Sequence, residues 1–364
     1  ASWPELPAAG PATWPMACPR AARLGSSGIL AALLACWPHG VEGLLLEVMI
    51  TSKWSHFARR QQQRQALSSC LQHVSFDHDV ELLFFMGDLN ESDVDMADVT
   101  RETSEHHDLV VVGGPDSDPP VERDQTYVLD RPCARTYRLA HGTAWLAQQR
   151  PSADYVMYLD DDSFLHLPRL LDSLSSQEEG ESLAMGFVME TNLDWMDIHI
   201  CSLCDPCEPC RKEETLLSFC SMFPDIAFGG CTMAIQNCRI FEENEDLVTC
   251  VQRKVEGLRH LADYFGSKSA PRWFLGMGWV FGRRLVRYLG RNAGRLKVRG
   301  AADVSLGFWL APLEGVRFES MNLGQFHDHP GTKSTFSYAC TEKSVLVHRM
   351  TPERWEAGFD ARRC

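Results

Sequence analysis

The stretch Tyr155–Leu165, YVMYLDDDSFL, joins an apolar run of strand length to three consecutive carboxylates, and apolar residues resume directly afterwards. Burying three unpaired acids inside a strand would cost too much free energy. We therefore expect the strand to end at Leu159 and to leave Asp160, Asp161 and Asp162 at its carboxyl end, where open α/β sheets bind ligands. Carboxylate oxygens favour Mg²⁺, Mn²⁺ or Ca²⁺ over zinc. Taken alone, the run is equally compatible with a solvated acidic turn.

Strand and helix patterns alternate on both sides of this stretch. Short apolar runs favour strands, and longer amphipathic or Pro-initiated segments favour helices. The predicted strands are Leu44–Ile50, Val80–Gly87, Asp108–Gly113, Tyr155–Leu159, Arg272–Phe281 and Ser344–His348, and the predicted helices begin near Phe57, Cys133, Pro168, Ala302 and Pro352. In the helix from Cys133, the face predicted to be core contains Tyr137, Ala140, His141, Ala144 and Trp145. This alternation predicts an α/β fold around a mainly parallel sheet.

Charged residues at the ends of these elements are candidates for chemistry. Arg60 and Arg64 are four apart, so they share one helical face just past the first strand. There they would meet a diphosphate or form a solvated surface. Asp303 opens an apolar helix, as a base or as a simple cap. His348 lies at the tip of the last strand, as a metal ligand or as a structural histidine.

An aromatic strand contains Gly276 and Gly278, which are two residues apart. Glycines at this spacing indicate close approach of a ligand or of another backbone. The same strand contains Trp273 and Trp279, which become candidate pocket residues if a ligand binds there.

Composition limits the classes of protein. The 364 residues carry a formal net charge of −14, which argues against nucleic acid or an anionic membrane as the main partner. No apolar run reaches the roughly 20 residues of a membrane-spanning helix. Residues 1–42 are rich in Pro, Ala and Gly and predict a linker, a stem or a poorly ordered terminus. Within them, Gly28–Trp37 is short and apolar, consistent with the remnant of a signal or anchor.

Fourteen cysteines point to an oxidising compartment and several disulfides. Eight of them lie from Cys201 to Cys250, inside a segment of about 190–268 that interrupts the strand–helix alternation. We interpret this segment as a cysteine-stapled insertion, with a zinc site as the alternative. Asn90 begins an Asn-Glu-Ser sequon and is a candidate glycosylation site.

The order of motifs from residue 44 to Cys364 resembles the β-1,3-glycosyltransferase family of the secretory pathway (glycosyltransferase family 31, with galactosyl-, N-acetylglucosaminyl- and Fringe-type members). The matching features are an R-x-x-x-R helix, F-x-x-G at Phe84–Gly87, the DDD run, the glycine pair, D-V-x-x-G from Asp303, and V-H-R-M-T-P-E from Val347. The chain departs from the pattern at Ala66-Leu67, where the family has Thr-Trp, and at Ala302, where it has Glu. The cysteine-rich insertion has no counterpart in the pattern.

The resemblance implies a single domain, residues 43–364, with a GT-A-like, Rossmann-like mixed sheet that binds a nucleotide sugar. It implies an inverting hexosyltransferase that moves galactose or N-acetylglucosamine from UDP to a hydroxyl of a glycan or glycoprotein in a β-1,3 linkage. It also implies Mn²⁺ or another divalent ion as cofactor, residence in the Golgi membrane or lumen, and membrane association only through an N-terminal anchor.

The resemblance also assigns roles to residues. Asp160, Asp161, Asp162 and His348 are expected to hold the metal, with His327 and His329 as competitors for the histidine position. Asp303 is expected to be the general base. Nucleotide-sugar contacts are assigned to Arg60, Arg64, Asp160, Asp161, Gly276 and Gly278, and the donor or acceptor pocket to Trp273 and Trp279. Two other functions stay open, a lectin- or chaperone-like member with weakened chemistry and a cysteine-rich interaction module on an α/β scaffold.

Overall fold

A computed structural model describes residues 43–72, 74, 78–89, 94–118, 133–177, 180–189, 246, 249, 271–298, 300–334 and 336–356. All of them belong to one compact unit. The predictions for residues 1–42, for Asn90 and for the eight cysteines of the insertion lie outside the described residues.

The described residues form ten strands and seven α-helices. The strands are β1 Leu45–Thr51, β2 Asp79–Met86, β3 Leu109–Val111, β4 Tyr155–Asp160, β5 Phe164–Leu165, β6 Leu183–Met189, β7 Trp273–Gly282, β8 Arg317–Ser320, β9 Phe326–Asp328 and β10 Leu346–His348. The helices are α1 Phe57–Leu71, α2 Met96–His106, α3 Ala134–Gln149, α4 Leu167–Ser175, α5 Arg283–Asn292, α6 Ala302–Leu310 and α7 Pro352–Glu356.

Seven strands form one sheet in the order β3-β2-β1-β4-β7-β6-β8. The pairs β3–β2, β2–β1, β1–β4 and β6–β8 are parallel, and β7 runs antiparallel to both of its neighbours. A smaller sheet has the order β5-β10-β9. The predicted α/β class with a mixed sheet is therefore confirmed.

Strand β4 lies at the centre of the large sheet, and all six of its residues are buried. It is apolar on both faces because each face is covered, one by α1 and α4 and the other by α3, α5 and α6. Its parallel partner β1 pairs Thr51 with Asp160, so both strands end at the same edge of the sheet. This edge is where polar side chains can gather without interrupting the core.

Helix α3 packs on the sheet with a different face from the one predicted. Its buried residues include Leu139, Gly142 and Leu146, whereas His141 is only half-buried and stacks on Tyr137 with ring centroids 4.0 Å apart. The reason lies at Gly142, where a Cβ would come within 2.3 Å of Met49. The helix thus approaches the sheet along its glycine side.

The small sheet brings the end of the chain to the acidic run. Strand β10 pairs antiparallel with β5, which begins two residues after Asp162. The backbone N–H of Met350 donates to the carbonyl of Asp162 over 2.6 Å. Among the described residues, no helix has both the length and the hydrophobicity to cross a membrane.

Candidate functional site

Three side chains converge at the carboxyl end of β4. Asp160, Asp162 and His348 each offer one ligand atom, and these atoms all lie within 4.8 Å of one another. Asp160 ends the strand, Asp162 lies in the following turn, and β10 supplies His348. Carboxylate and imidazole donors in this number suit a divalent metal ion.

His348 is oriented by Asp328, the last residue of β9. The Nδ1 atom of His348 lies 2.7 Å from Asp328 Oδ1, and Nε2 lies 3.4 Å from Asp162 Oδ1. A carboxylate on one ring nitrogen fixes the tautomer and leaves the other nitrogen for a metal. Burial alone would lower the pKa of His348, but the hydrogen bond to Asp328 and the charge of Asp162 raise it above the ordinary value.

The donor set fits a divalent ion because one of its atoms has no other role. Asp162 Oδ1 is buried and has no hydrogen-bond partner among the described residues. An orphaned carboxylate oxygen in a protein interior is costly, and a bound cation is one of the few groups that would remove the cost.

Asp161 points away from this group. Its Oδ2 atom accepts from Ser52 Oγ over 2.6 Å and lies 2.8 Å from His56 Nδ1, and its Oδ1 accepts from Arg59 over 3.1 Å. Burial would raise the pKa of Asp161, but the hydrogen bond with His56 and the neighbouring donors lower it below the ordinary value. The expectation that all three aspartates hold the metal is therefore corrected, since the contacts of Asp161 tie the run to the segment after β1.

Arg135, in the first turn of α3, forms an ion pair with Asp160 over 2.6 Å. Thr51 Oγ1 donates to the other carboxylate oxygen over 2.9 Å. Burial raises the pKa of Asp160 above the ordinary value, and the charge of Arg135 opposes that shift. Sequence reasoning missed Arg135, because its position in an ordinary helix turn gives no signal until the strand end is placed beside it.

Asp303 lies half-buried in the first turn of α6. The Val304 backbone N–H donates to its Oδ1 over 2.8 Å, and a Cβ on Gly276 would lie 3.1 Å from its Oδ2. Burial raises the pKa of Asp303, while the Val304 N–H and the charge of Arg135 oppose the shift. A carboxylate with a raised pKa and one uncrowded oxygen is suited to accept a proton.

The two arginines predicted to meet a diphosphate are held inside the protein. Arg60 is 1% exposed and makes a two-pronged contact with Glu102 over 2.8 and 2.7 Å. Arg64 donates to Glu102 and forms a second two-pronged contact with Asp108. Arg60 also donates to Ser52, the residue that contacts Asp161. The expected direct contact with a nucleotide is replaced by a supporting role.

The glycines and tryptophans of β7 also serve packing. Trp279 is 1% exposed and stacks on Tyr158 with ring centroids 4.3 Å apart, and Trp273 is buried as well. A Cβ on Gly278 would come within 2.8 Å of the Tyr158 carbonyl, so this glycine lets β7 approach β4. The expectation that both tryptophans line a pocket is thus corrected, and Gly276 alone of the four lies against a candidate reactive group.

The competing histidines lie elsewhere. His327 is fully buried and bonds to Ser344 Oγ over 2.8 Å and to the Asp328 carbonyl over 2.9 Å. His329 Nδ1 accepts from the Gly331 backbone over 3.0 Å. Neither belongs to the three-ligand group, so the choice of His348 is consistent with the geometry.

Three cysteines can be described outside the insertion. Cys70 and Cys133 are free thiols, so they do not contribute to the predicted disulfides. Cys340 is disulfide-bonded.

Comparisons with known proteins lead to sugar-transferring enzymes. No family model matches the chain. A stretch of 55 residues is 34% identical to human UDP-GalNAc:beta-1,3-N-acetylgalactosaminyltransferase 2, covering 15% of this chain and 11% of that protein. The chain thus matches only about a tenth of the length of this curated relative.

Similar solved structures include galactosyltransferase LgtC in complex with donor and acceptor sugar analogs, at 9% identity and a TM-score of 0.42, covering 87% of this chain and 93% of that one. Mouse xyloside xylosyltransferase 1 has 11% identity and a TM-score of 0.36, covering 84% of this chain and 97% of that one. Likeness at this level carries no information about activity, which has to be argued from the residues of the site.

Proposed function

We propose that this chain is an inverting, metal-dependent glycosyltransferase that moves a sugar from a UDP-sugar to a glycan hydroxyl in a β-1,3 linkage. The observation that carries the proposal is the group Asp160, Asp162 and His348, with its buried, unpartnered carboxylate oxygen, on the same strand edge as the carboxylate-binding side chain Arg135. The likeness of 55 residues to a human β-1,3-N-acetylgalactosaminyltransferase agrees with it.

Asp160, Asp162 and His348 would hold the divalent ion, and Asp328 would keep His348 in the tautomer that presents Nε2. When bound, the ion supplies Lewis-acid stabilisation of a departing UDP. Asp161 is assigned to positioning, because its contacts with Ser52 and Arg59 hold the acidic run in place.

Asp303 would act as the general base. Its carboxylate would accept the proton of the acceptor hydroxyl as that oxygen attacks the anomeric carbon. Inversion requires the base and the leaving group on opposite faces of the sugar. Gly276 would leave space beside Asp303 Oδ2 for the acceptor, since a larger residue would crowd that oxygen.

The donor is proposed to be UDP-galactose or UDP-N-acetylglucosamine, and the acceptor a glycan or glycoprotein. The name of the human relative adds UDP-N-acetylgalactosamine to the donors that need testing. Residence in the Golgi membrane or lumen, and N-glycosylation at Asn90, belong to the same proposal.

Turnover of a panel of UDP-sugars with Mn²⁺ present tests the function. Asp303→Asn is expected to lower turnover by about 10²- to 10⁴-fold, because the amide cannot accept the proton, while UDP affinity stays within about twofold. Asp98→Asn, an exposed carboxylate on α2, is the matched control and should retain full turnover. Loss of UDP affinity together with turnover would instead make Asp303 a nucleotide-binding or structural residue.

A lectin-like binder is the second candidate. Ala302, 6% exposed, removes the acidic side chain that the resembled family has beside the base, which is consistent with weakened chemistry. Glycan binding by the protein without turnover of any UDP-sugar would favour this alternative.

A further inference from the structure

Each aspartate of the acidic run is paired with a different cation. Asp160 pairs with Arg135 over 2.6 Å, Asp161 with Arg59 over 3.1 Å and with His56, and Asp162 faces His348. Two of these pairs differ in one important respect. Asp160 belongs to the three-ligand group, whereas Asp161 does not.

The pair Arg135–Asp160 sets up a competition. Asp160 accepts from Arg135 with Oδ2 and from Thr51 with Oδ1, so both oxygens of this candidate ligand are already engaged. A guanidinium and a divalent cation cannot fully occupy the same carboxylate lone pairs, so binding of an ion at Asp160 must weaken or displace the contact with Arg135.

Arg135 is the partner that can move. Its side chain is 49% exposed, whereas that of Asp160 is 10% exposed. A half-exposed arginine can turn toward the cleft without leaving a buried charge unpaired, and its planar fork matches the oxygens of a phosphate. Its charge also acts on Asp162 and Asp303, so it lies among the acidic groups of the site.

We propose that Arg135 is a place-holding cation for Asp160, which a divalent metal displaces and which then pairs with the diphosphate of the donor. The displacement concerns the metal alone. The second half rests on the proposed function, because it requires a nucleotide diphosphate at the site.

Calorimetric titration with Mn²⁺ alone tests the first half. Arg135→Gln is expected to raise the affinity for Mn²⁺ about three- to tenfold over the wild type, since the competing charge is gone. Arg59→Gln is the matched control. It removes the same charge from the neighbouring aspartate, so it reproduces any general electrostatic effect, and we expect a change of less than about twofold.

Equal Mn²⁺ affinities of Arg135→Gln and the wild type would overturn the proposal. An equal gain in Arg135→Gln and Arg59→Gln would overturn it too, because the effect would then be one of net charge. Arg135→Lys keeps the charge without the planar fork and should bind Mn²⁺ within about twofold of the wild type. This variant keeps the test decisive if the Gln variant does not fold, because a tenfold gain with Lys would contradict competition by charge.

Titration with UDP in saturating Mn²⁺ tests the second half. Both Arg135→Gln and Arg135→Lys should lose UDP affinity, by about tenfold and threefold respectively. Unchanged UDP affinity in both variants would remove the diphosphate from the proposal. A wild type that binds Mn²⁺ but no UDP would refute the proposed function, while the Mn²⁺ titration still decides the competition at Asp160.

Discussion

Two charged clusters flank the segment that follows β1, and they differ in how completely their groups are paired. In the first, Arg60 and Arg64 share Glu102, and Arg64 also binds Asp108, so each of the four side chains has an ionic partner. In the second, Asp162 has a buried oxygen with no hydrogen bond from the described residues. The first cluster has the character of a structural network. The second is arranged for a group that the chain itself does not provide.

The largest effect is expected from breaking the structural network. Glu102→Ala would leave two buried guanidinium groups without their shared carboxylate, and should lower the free energy of unfolding by about 3–5 kcal/mol. Urea unfolding measures this loss. Mn²⁺ affinity of the folded fraction should be unchanged, and a parallel fall in Mn²⁺ affinity would show that the two clusters act as one.

Glu47 shows that an orphaned oxygen alone does not define a site. It is buried on β1, its Oε2 has no partner among the described residues, and burial, with the charge of Glu81, raises its pKa to about 7. Because the folded-state pKa lies above the unfolded value, the protonated side chain favours folding at low pH. That contribution is present below about pH 4.5 and is lost as the pH rises through about 7.

Between pH 4.5 and 8, Glu47→Gln should therefore gain roughly 3 kcal/mol of stability relative to the wild type. Urea unfolding of both proteins at the two pH values measures the difference. Glu105→Gln, an exposed carboxylate on α2, should show no such trend. Mn²⁺ affinity of Glu47→Gln should equal that of the wild type, and any fall would make Glu47 part of a metal site.

Asp162→Asn tests the second cluster directly. The amide keeps the size of the side chain but loses the charge, and we expect Mn²⁺ affinity to fall by about 100-fold. The free energy of unfolding measured in chelator should not fall, because an unpaired buried charge has been removed. A variant that unfolds more readily while keeping its Mn²⁺ affinity would assign Asp162 to the structural class.

Much of this arrangement follows from local sequence. The end of β4 at the acidic run, the strand tip at His348 and the helix start at Asp303 each depend on patterns within a few residues. Their meeting follows from the parallel pairing of β1 and β4 and the position of β10.

The errors arise where partners come from distant parts of the chain. Arg60 and Arg64 looked available because Glu102 and Asp108 follow far behind them in the sequence. Asp161 could not be separated from its neighbours without Ser52, which lies on another strand end. Trp273 and Trp279 were assigned to a pocket because nothing in a single strand reveals that both of its faces will be covered.

The position of His348 has a consequence for how the protein matures. This ligand and Asp162 are separated by the entire insertion and most of the second half of the chain, and they meet only when β10 pairs with β5. The large sheet does not need that pairing, but the metal group does. Long loops of this kind close late, since the entropy of closure precedes the contacts that offset it. Metal capture would therefore mark the last stage of assembly, and a chain truncated before β10 would retain the main sheet yet lack the metal group.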